Sequence, residues 1–108
     1  MKPTPLATLV VALAFAACAG LLVGREFPSP EAAQIKADVT DKARLLTLFG
    51  EPYQVGIDNG DQTWRWFYGQ HASGTEITKD LSVRFSADGT VKSYSFTSNF
   101  PEDMTRFK

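Results

Sequence analysis

The chain has 108 residues, 44% hydrophobic and 21% charged, with a formal net charge of −1, a balance that describes a folded polypeptide and excludes a disordered or collagenous one. Past residue 17 there are 10 basic and 12 acidic side chains, so no basic field exists to hold a phosphate backbone, and nucleic acid is excluded as a partner. One cysteine, Cys18, and one histidine, His71, permit neither an intramolecular disulfide nor a zinc site.

Lys2 precedes an apolar run from Leu6 to Ala17, which has the length of a signal-peptide hydrophobic region and falls short of the roughly 20 residues that span a bilayer. Small residues then lead into a lone cysteine at Phe15-Ala16-Ala17-Cys18-Ala19. That arrangement resembles the bacterial lipobox, whose cysteine is acylated and becomes the mature N-terminus. Lipid on Cys18 would anchor the chain firmly, at about 0.8 kcal/mol for each buried methylene. Two other readings stay open: an uncleaved helix from Leu6 to Gly24, about 28 Å long, or cleavage after Ala17-Cys18-Ala19 that frees a soluble protein. Each places the rest of the chain outside the cytoplasm. The organisation that follows is a signal peptide over 1–17, a lipidated N-terminus and tether over 18–28, a folded domain over 29–98 and a C-terminal tail over 99–108.

Ser29-Pro30-Glu31 supplies a capping serine, a proline for the first helical position and an acid for the first turn, which predicts a short helix from Pro30 to Lys36. A stronger helix is predicted to begin at Thr40 as N-cap and to stop at Phe49-Gly50 before Pro52. Val39, Ala43, Leu45, Leu46 and Phe49 share an arc of about 160°, the width of a core-facing stripe, and Lys42 inside that arc must extend outward.

After Pro52 the period becomes two. Tyr53, Val55 and Ile57 alternate up to the hairpin turn Asp58-Asn59-Gly60-Asp61, and Thr63 to Tyr68 forms the partner strand. Gly69 to Lys79 reads as the longest and most mobile connection. Asp80 to Ser86 and Thr90 to Ser98 are two further strands joined at Ala87-Asp88-Gly89, with Ser86 opposite Thr90 and Phe85 opposite Val91.

Alternation also distributes the aromatics. If Leu81, Val83, Phe85 and Val91 face the helices, then Tyr94, Phe96 and Phe67 point the other way, beside Arg65, Arg84 and Lys92. Aromatics with arginine are the composition of protein interfaces. Phe67, Arg65, Arg84, Tyr94 and Phe96 are therefore the candidate partner-binding residues, unless a bulge turns Tyr94 and Phe96 into the core. His71 reads as a solvated histidine, and Asp58, Asp61 and Glu51 as ordinary turn acids that lack the pattern of a calcium loop.

Taken together, Ile35-Lys36-Ala37-Asp38-Val39-Thr40, Leu48-Phe49-Gly50-Glu51-Pro52, the Gly60 turn, Trp64 to Tyr68 and Phe85-Ser86-Ala87-Asp88-Gly89-Thr90-Val91 resemble the SmpA/OmlA (BamE-like) outer-membrane lipoprotein family. The resemblance covers about residues 25 to 97. It implies an α+β fold with two N-terminal helices packed on one face of a three-stranded antiparallel sheet. It also implies no catalysis, exposure on the periplasmic side of the outer membrane, and an accessory role in β-barrel assembly. Asp38 stands where that family usually has glycine. The expected function is a non-catalytic, lipid-anchored protein that binds another envelope protein, with no small-molecule substrate and no cofactor beyond the lipid on Cys18. A structural or stress-related envelope lipoprotein and an inhibitor-like domain for a periplasmic enzyme are the alternatives.

Overall fold

The computed structural model describes residues 20–108, so the segment expected to be a signal peptide and Cys18 lie outside the described residues. Two tight turns frame its longest strand. Strand β2 (Gln54–Asp58) passes into β3 (Asp61–Ala72) through Asn59 and Gly60, at φ 53° and 89°. Strand β3 passes into β4 (Thr75–Phe85) through Ser73 and Gly74, at φ 54° and 74°. Successive positive φ values are those of the type I′ turn, whose twist suits a hairpin. The first turn is where the sequence puts it. The second overturns the expected Gly69–Lys79 loop: pairing runs without interruption from Thr63↔Arg84 to Ala72↔Thr75, so His71 sits in a strand opposite Glu76.

Strand β5 (Val91–Ser98) follows β4 through a turn closed by Gly89 at φ 89°. Asp88 Oδ1 accepts from the Thr90 amide at 3.0 Å and its hydroxyl at 2.7 Å. The Ser86 amide donates to the Thr90 carbonyl, and Phe85 faces Val91 as expected.

A fifth strand, β1 (Leu21–Gly24), occupies residues that the sequence assigns to the tether over 18–28. It pairs antiparallel with the far half of β3, Leu21↔His71 to Gly24↔Tyr68, while β2 pairs with the near half, Gln54↔Arg65 to Asp58↔Asp61. The sheet order is β1-β3-β4-β5, and β1 and β2 lie end to end on one edge of β3. Gly24 permits this. Its φ is 80°, and a Cβ there would stand 2.1 Å from the Phe67 carbonyl oxygen.

The described residues form two helices, α1 (Lys42–Phe49) and, at the C-terminal end, α2 (Pro101–Phe107). Two N-terminal helices on a three-stranded sheet are therefore not what the chain forms: the sheet has five strands, and one of the two helices among the described residues, α2, lies at the C-terminal end. The segment Pro30–Lys36 makes an isolated turn, with the Gln34 amide donating to the Glu31 carbonyl at 3.1 Å and the Gln34 side chain accepting from the Glu31 amide at 3.0 Å. Ala32 and Ala33 remain exposed while Ile35 is buried. One apolar anchor gives a helix of this length nothing to offset the cost of nucleation. The open path instead delivers Phe27, Pro30 and Ile35 to the core.

Asp38 then takes φ 66°, a left-handed conformation that Asp tolerates better than most non-glycine residues. The Asp38 amide donates to the Val91 carbonyl and the Val91 amide to the Thr40 carbonyl, each at 2.8 Å. The helix cap is Asp41, whose carboxylate accepts from the Arg44 amide at 2.9 Å. Thr40, expected in that role, is buried and accepts from the Lys36 amide at 2.9 Å. The stop at Phe49-Gly50 is as expected, with Gly50 at φ 81° and its amide on the Leu46 carbonyl. Lys42 lies 5.6 and 5.1 Å over the Trp64 and Phe85 rings and ends on the Gln62 side chain, so its stem covers apolar surface while its charge reaches outward.

Helix α1, the Phe27–Ile35 segment and Phe100 cover one face of the sheet. Beneath them an aromatic row runs from Phe96 through Phe27, Phe49 and Trp66 to Trp64 and Phe85, with centroid separations of 5.1 to 6.5 Å. Trp66 Nε1 donates to the Gly50 carbonyl at 3.0 Å. Helix α2 is held by Asp103, which is 4% exposed and accepts from Ser98 Oγ at 2.6 Å and Ser29 Oγ at 2.8 Å. Lys79 Nζ reaches Ser29 Oγ at 3.3 Å and lies over the Phe27 and Phe100 rings at 5.0 and 5.2 Å. Burial opposes charge on Asp103, but the two hydroxyl donors, with Lys79 and Arg106, outweigh it and hold the carboxyl below its usual range. Burial pushes the Lys79 ammonium down.

Because the Asp103 pKa is depressed on folding, its contribution to stability is complete above the unfolded carboxylate pKa and disappears as pH falls through the lower folded value. Asp103→Asn is expected to cost about 2 kcal/mol at neutral pH and to flatten the acid limb of the stability curve. Urea unfolding from pH 7 down to pH 2.5, parent against variant, checks both. Superimposable curves would refute the latch.

Candidate docking face

Among the described residues, no helix lies over the face of the sheet turned away from α1. Strand pairing lays its side chains in rows: Gln54, Arg65, Ser82 and Ser95 in one, Gly56, Thr63, Arg84 and Ser93 in the next. These rows line a shallow open groove.

An arginine stands in each row, fixed by carboxylates. The Arg65 guanidinium meets Asp80 through Nε at 3.0 and 3.2 Å and through Nη2 at 2.6 Å, and donates from Nη1 to the Gln54 side chain at 2.9 Å. Its plane lies 5.0 Å from the Phe67 ring, which in turn lies 6.1 Å from Tyr53. Arg84 donates to Asp61 at 3.0 Å, to the Asp58 carbonyl at 2.9 Å and to the Asp58 carboxylate, while Lys92 also donates to Asp61 at 3.0 Å. Arg84 therefore ties the β2–β3 hairpin to β4.

The hydrogen bonds to Asp80 and Asp61 raise the Arg65 and Arg84 pKa values above their ordinary level. Asp61 is lowered, first by its hydrogen bond from Lys92 and then by that from Arg84. Pairs this exposed contribute little to stability. What they do is hold two planar cations still above a floor of hydroxyls.

The five candidate binding residues divide between the two faces. Arg65, Phe67 and Arg84 share the open face, as expected. Tyr94 and Phe96 do not: Phe96 pairs with Leu81 and Tyr94 with Val83, both core residues, which puts them on the helix side. The cause is a bulge. Arg84 pairs with Ser93 but Phe85 with Val91, so Lys92 is an extra residue and every later residue of β5 changes face. Phe96 packs 6.4 Å from Phe27 and 6.1 Å from Phe107, and Tyr94 sits half-covered at the rim.

Ser82, Ser93, Ser95 and Thr63 belong to the open face and were missed by sequence reasoning. Strand alternation marks Ser82 as facing opposite to Val83, but only the register across four strands assembles the row. Among the described residues, no group of three or more His, Cys, Asp or Glu side chains is placed to hold a metal ion, and no helix is long and apolar enough to cross a membrane. Comparison with protein-family models, with curated proteins and with solved structures finds no match to this chain.

Phe96→Ser is expected to lower stability by about 2 kcal/mol, read as a fall in the thermal midpoint, because the bulge packs this partly buried residue against the core. Arg84→Gln and Lys92→Gln are each expected to move the Asp61 carboxyl up toward its ordinary value, Lys92→Gln by more. NMR titration of the Asp61 side chain reads this directly, and the thermal midpoint should barely change.

Proposed function

We propose that this chain is a non-catalytic binding module of the cell envelope, anchored by lipid on Cys18 to the periplasmic side of the outer membrane, and that it docks another envelope protein through the open face of its sheet. The observation that carries the reading is the pair of arginines on that face. Arg65 and Arg84 are already ordered by Asp80, Asp58 and Asp61, with Phe67 and Tyr53 beside them. Side chains ordered before encounter lose less entropy on docking, so a modest face can bind usefully. Arginine and aromatic groups are also those enriched where proteins meet.

The anchor reading draws on strand β1. Leu21–Gly24 is hydrogen-bonded into the sheet, so a spanning helix would have to end by Gly20. Residues 6–20 as a helix measure about 22 Å, short of a hydrocarbon core about 30 Å thick. Acylation at Cys18 has no such length requirement.

The role in barrel assembly rests on the sequence motifs alone, since the helix pair implied by the resemblance is not formed. Barrel-assembly subunits are therefore one possible catch of the experiment that follows. A photo-crosslinking residue at Ser82 or Ser95 of the full chain, in its own cells, is expected to capture a discrete envelope protein, and the same residue at exposed Val39 on the helix side is not. Equal capture from both sides, or none from the open face, would defeat the docking reading. Labelling with a clickable fatty acid that Cys18→Ser does not diminish would defeat the anchor.

A further inference from the structure

The far end of the sheet carries apolar side chains that the fold leaves uncovered. Leu21, Leu22 and Val23 of β1 are 66%, 71% and 48% exposed. They pair with His71, Gln70 and Gly69, beside the Ser73-Gly74 turn, so they sit at the tip of a three-stranded projection made by β1, β3 and β4. Alternation points Leu22 to one face of that projection and Leu21 and Val23 to the other. An apolar group on both faces of a protruding edge is poorly matched to a single concave partner. Fixed charge at the tip is confined to Glu76, opposite His71: from Gly20 to Gly24 and from Gly69 to Thr75 there is no Asp, Glu, Lys or Arg.

Leu21, where β1 begins, follows Cys18 by three residues, a reach of about 10 Å. The polar zone on each side of a bilayer is about 5–8 Å deep. If Cys18 carries lipid, a tether this short keeps the tip at the bilayer surface.

We infer that this tip seats on the lipid surface, with Leu21, Leu22 and Val23 among the headgroups and first acyl carbons, and so sets the orientation of the domain. The inference rests on the anchor reading and deepens it. With the tip seated, β3 and β4 rise from the membrane, and Arg65, six residues along β3 from His71, stands about 20 Å above it. The docking face is then presented away from the lipid instead of lying on it.

The test uses the full chain in phosphatidylethanolamine–phosphatidylglycerol vesicles, with mass spectrometry establishing acylation of Cys18. The acylated sulfur leaves an introduced cysteine as the one reactive thiol for an environment-sensitive fluorophore. At Leu22→Cys the fluorophore is expected to shift to the blue and to be quenched by lipids spin-labelled near the headgroup, whereas at Ser95→Cys it should do neither. Acylated protein with a water-exposed probe at position 22 overturns the seating and leaves the anchor standing. Unacylated protein overturns both. A blue shift that lipid quenchers do not touch, but that grows with protein density in the vesicle, assigns the tip to a second copy and overturns the lipid assignment.

Discussion

A helix of eight residues, about 12 Å long, must cover a sheet whose central strand has twelve residues and runs about 40 Å. That mismatch shapes the rest of the molecule. Leu45 and Phe49 of α1 bury Trp66 and its neighbours, and the remaining cover comes from chain that is not helical when it reaches the sheet: Phe27, Ile35 and Phe100. Two of these lie before α1 and one just ahead of α2, so the two ends of the described chain are bound into one core. A core of this size has no surplus to cover a second face, and the open side of the sheet follows from that.

Where the cover is thinnest, polar groups are buried under α2. Lys79 and Asp103 sit among Phe27, Phe100, Ser29 and Ser98, with the carboxylate hydrogen-bonded by both serines. Breaking such a set leaves a buried charge without a partner, so the set specifies the seat of α2 more than it adds to net stability. The open face works the other way. Its ion pairs are exposed, contribute little energy, and serve to fix the direction of two guanidinium groups. Cations with aspartates thus act as a latch on one side of the sheet and as a presented surface on the other.

Much of the local structure was legible in the sequence. Asn59-Gly60, Ala87-Asp88-Gly89 and Phe49-Gly50 each combine residues that tolerate positive φ with a change in hydrophobic period, and each turn or stop is where those residues put it. Arg65, Phe67 and Arg84 on the face opposite Leu81 and Val83 followed from alternation. Pro30–Lys36 failed because capping residues start a helix but do not sustain one, and a single buried Ile35 cannot. Gly69–Lys79 failed because glycine and histidine looked like a loop while Ser73-Gly74 was the turn.

Residue order alone determined what depends on near neighbours: which stretches alternate, where the chain can reverse, which helix end is capped by Gly50, and that an apolar run leads into a lone cysteine. Tertiary structure decided what depends on register between distant segments. The pairing of Leu21–Gly24 with His71–Tyr68 made a strand of part of the expected tether, and one extra residue at Lys92 carried Tyr94 and Phe96 from the open face to the helix side. A strand has a two-residue period, so a single insertion inverts every side chain beyond it. Whether that insertion is absorbed at Arg84 and Phe85 is settled by packing across the sheet.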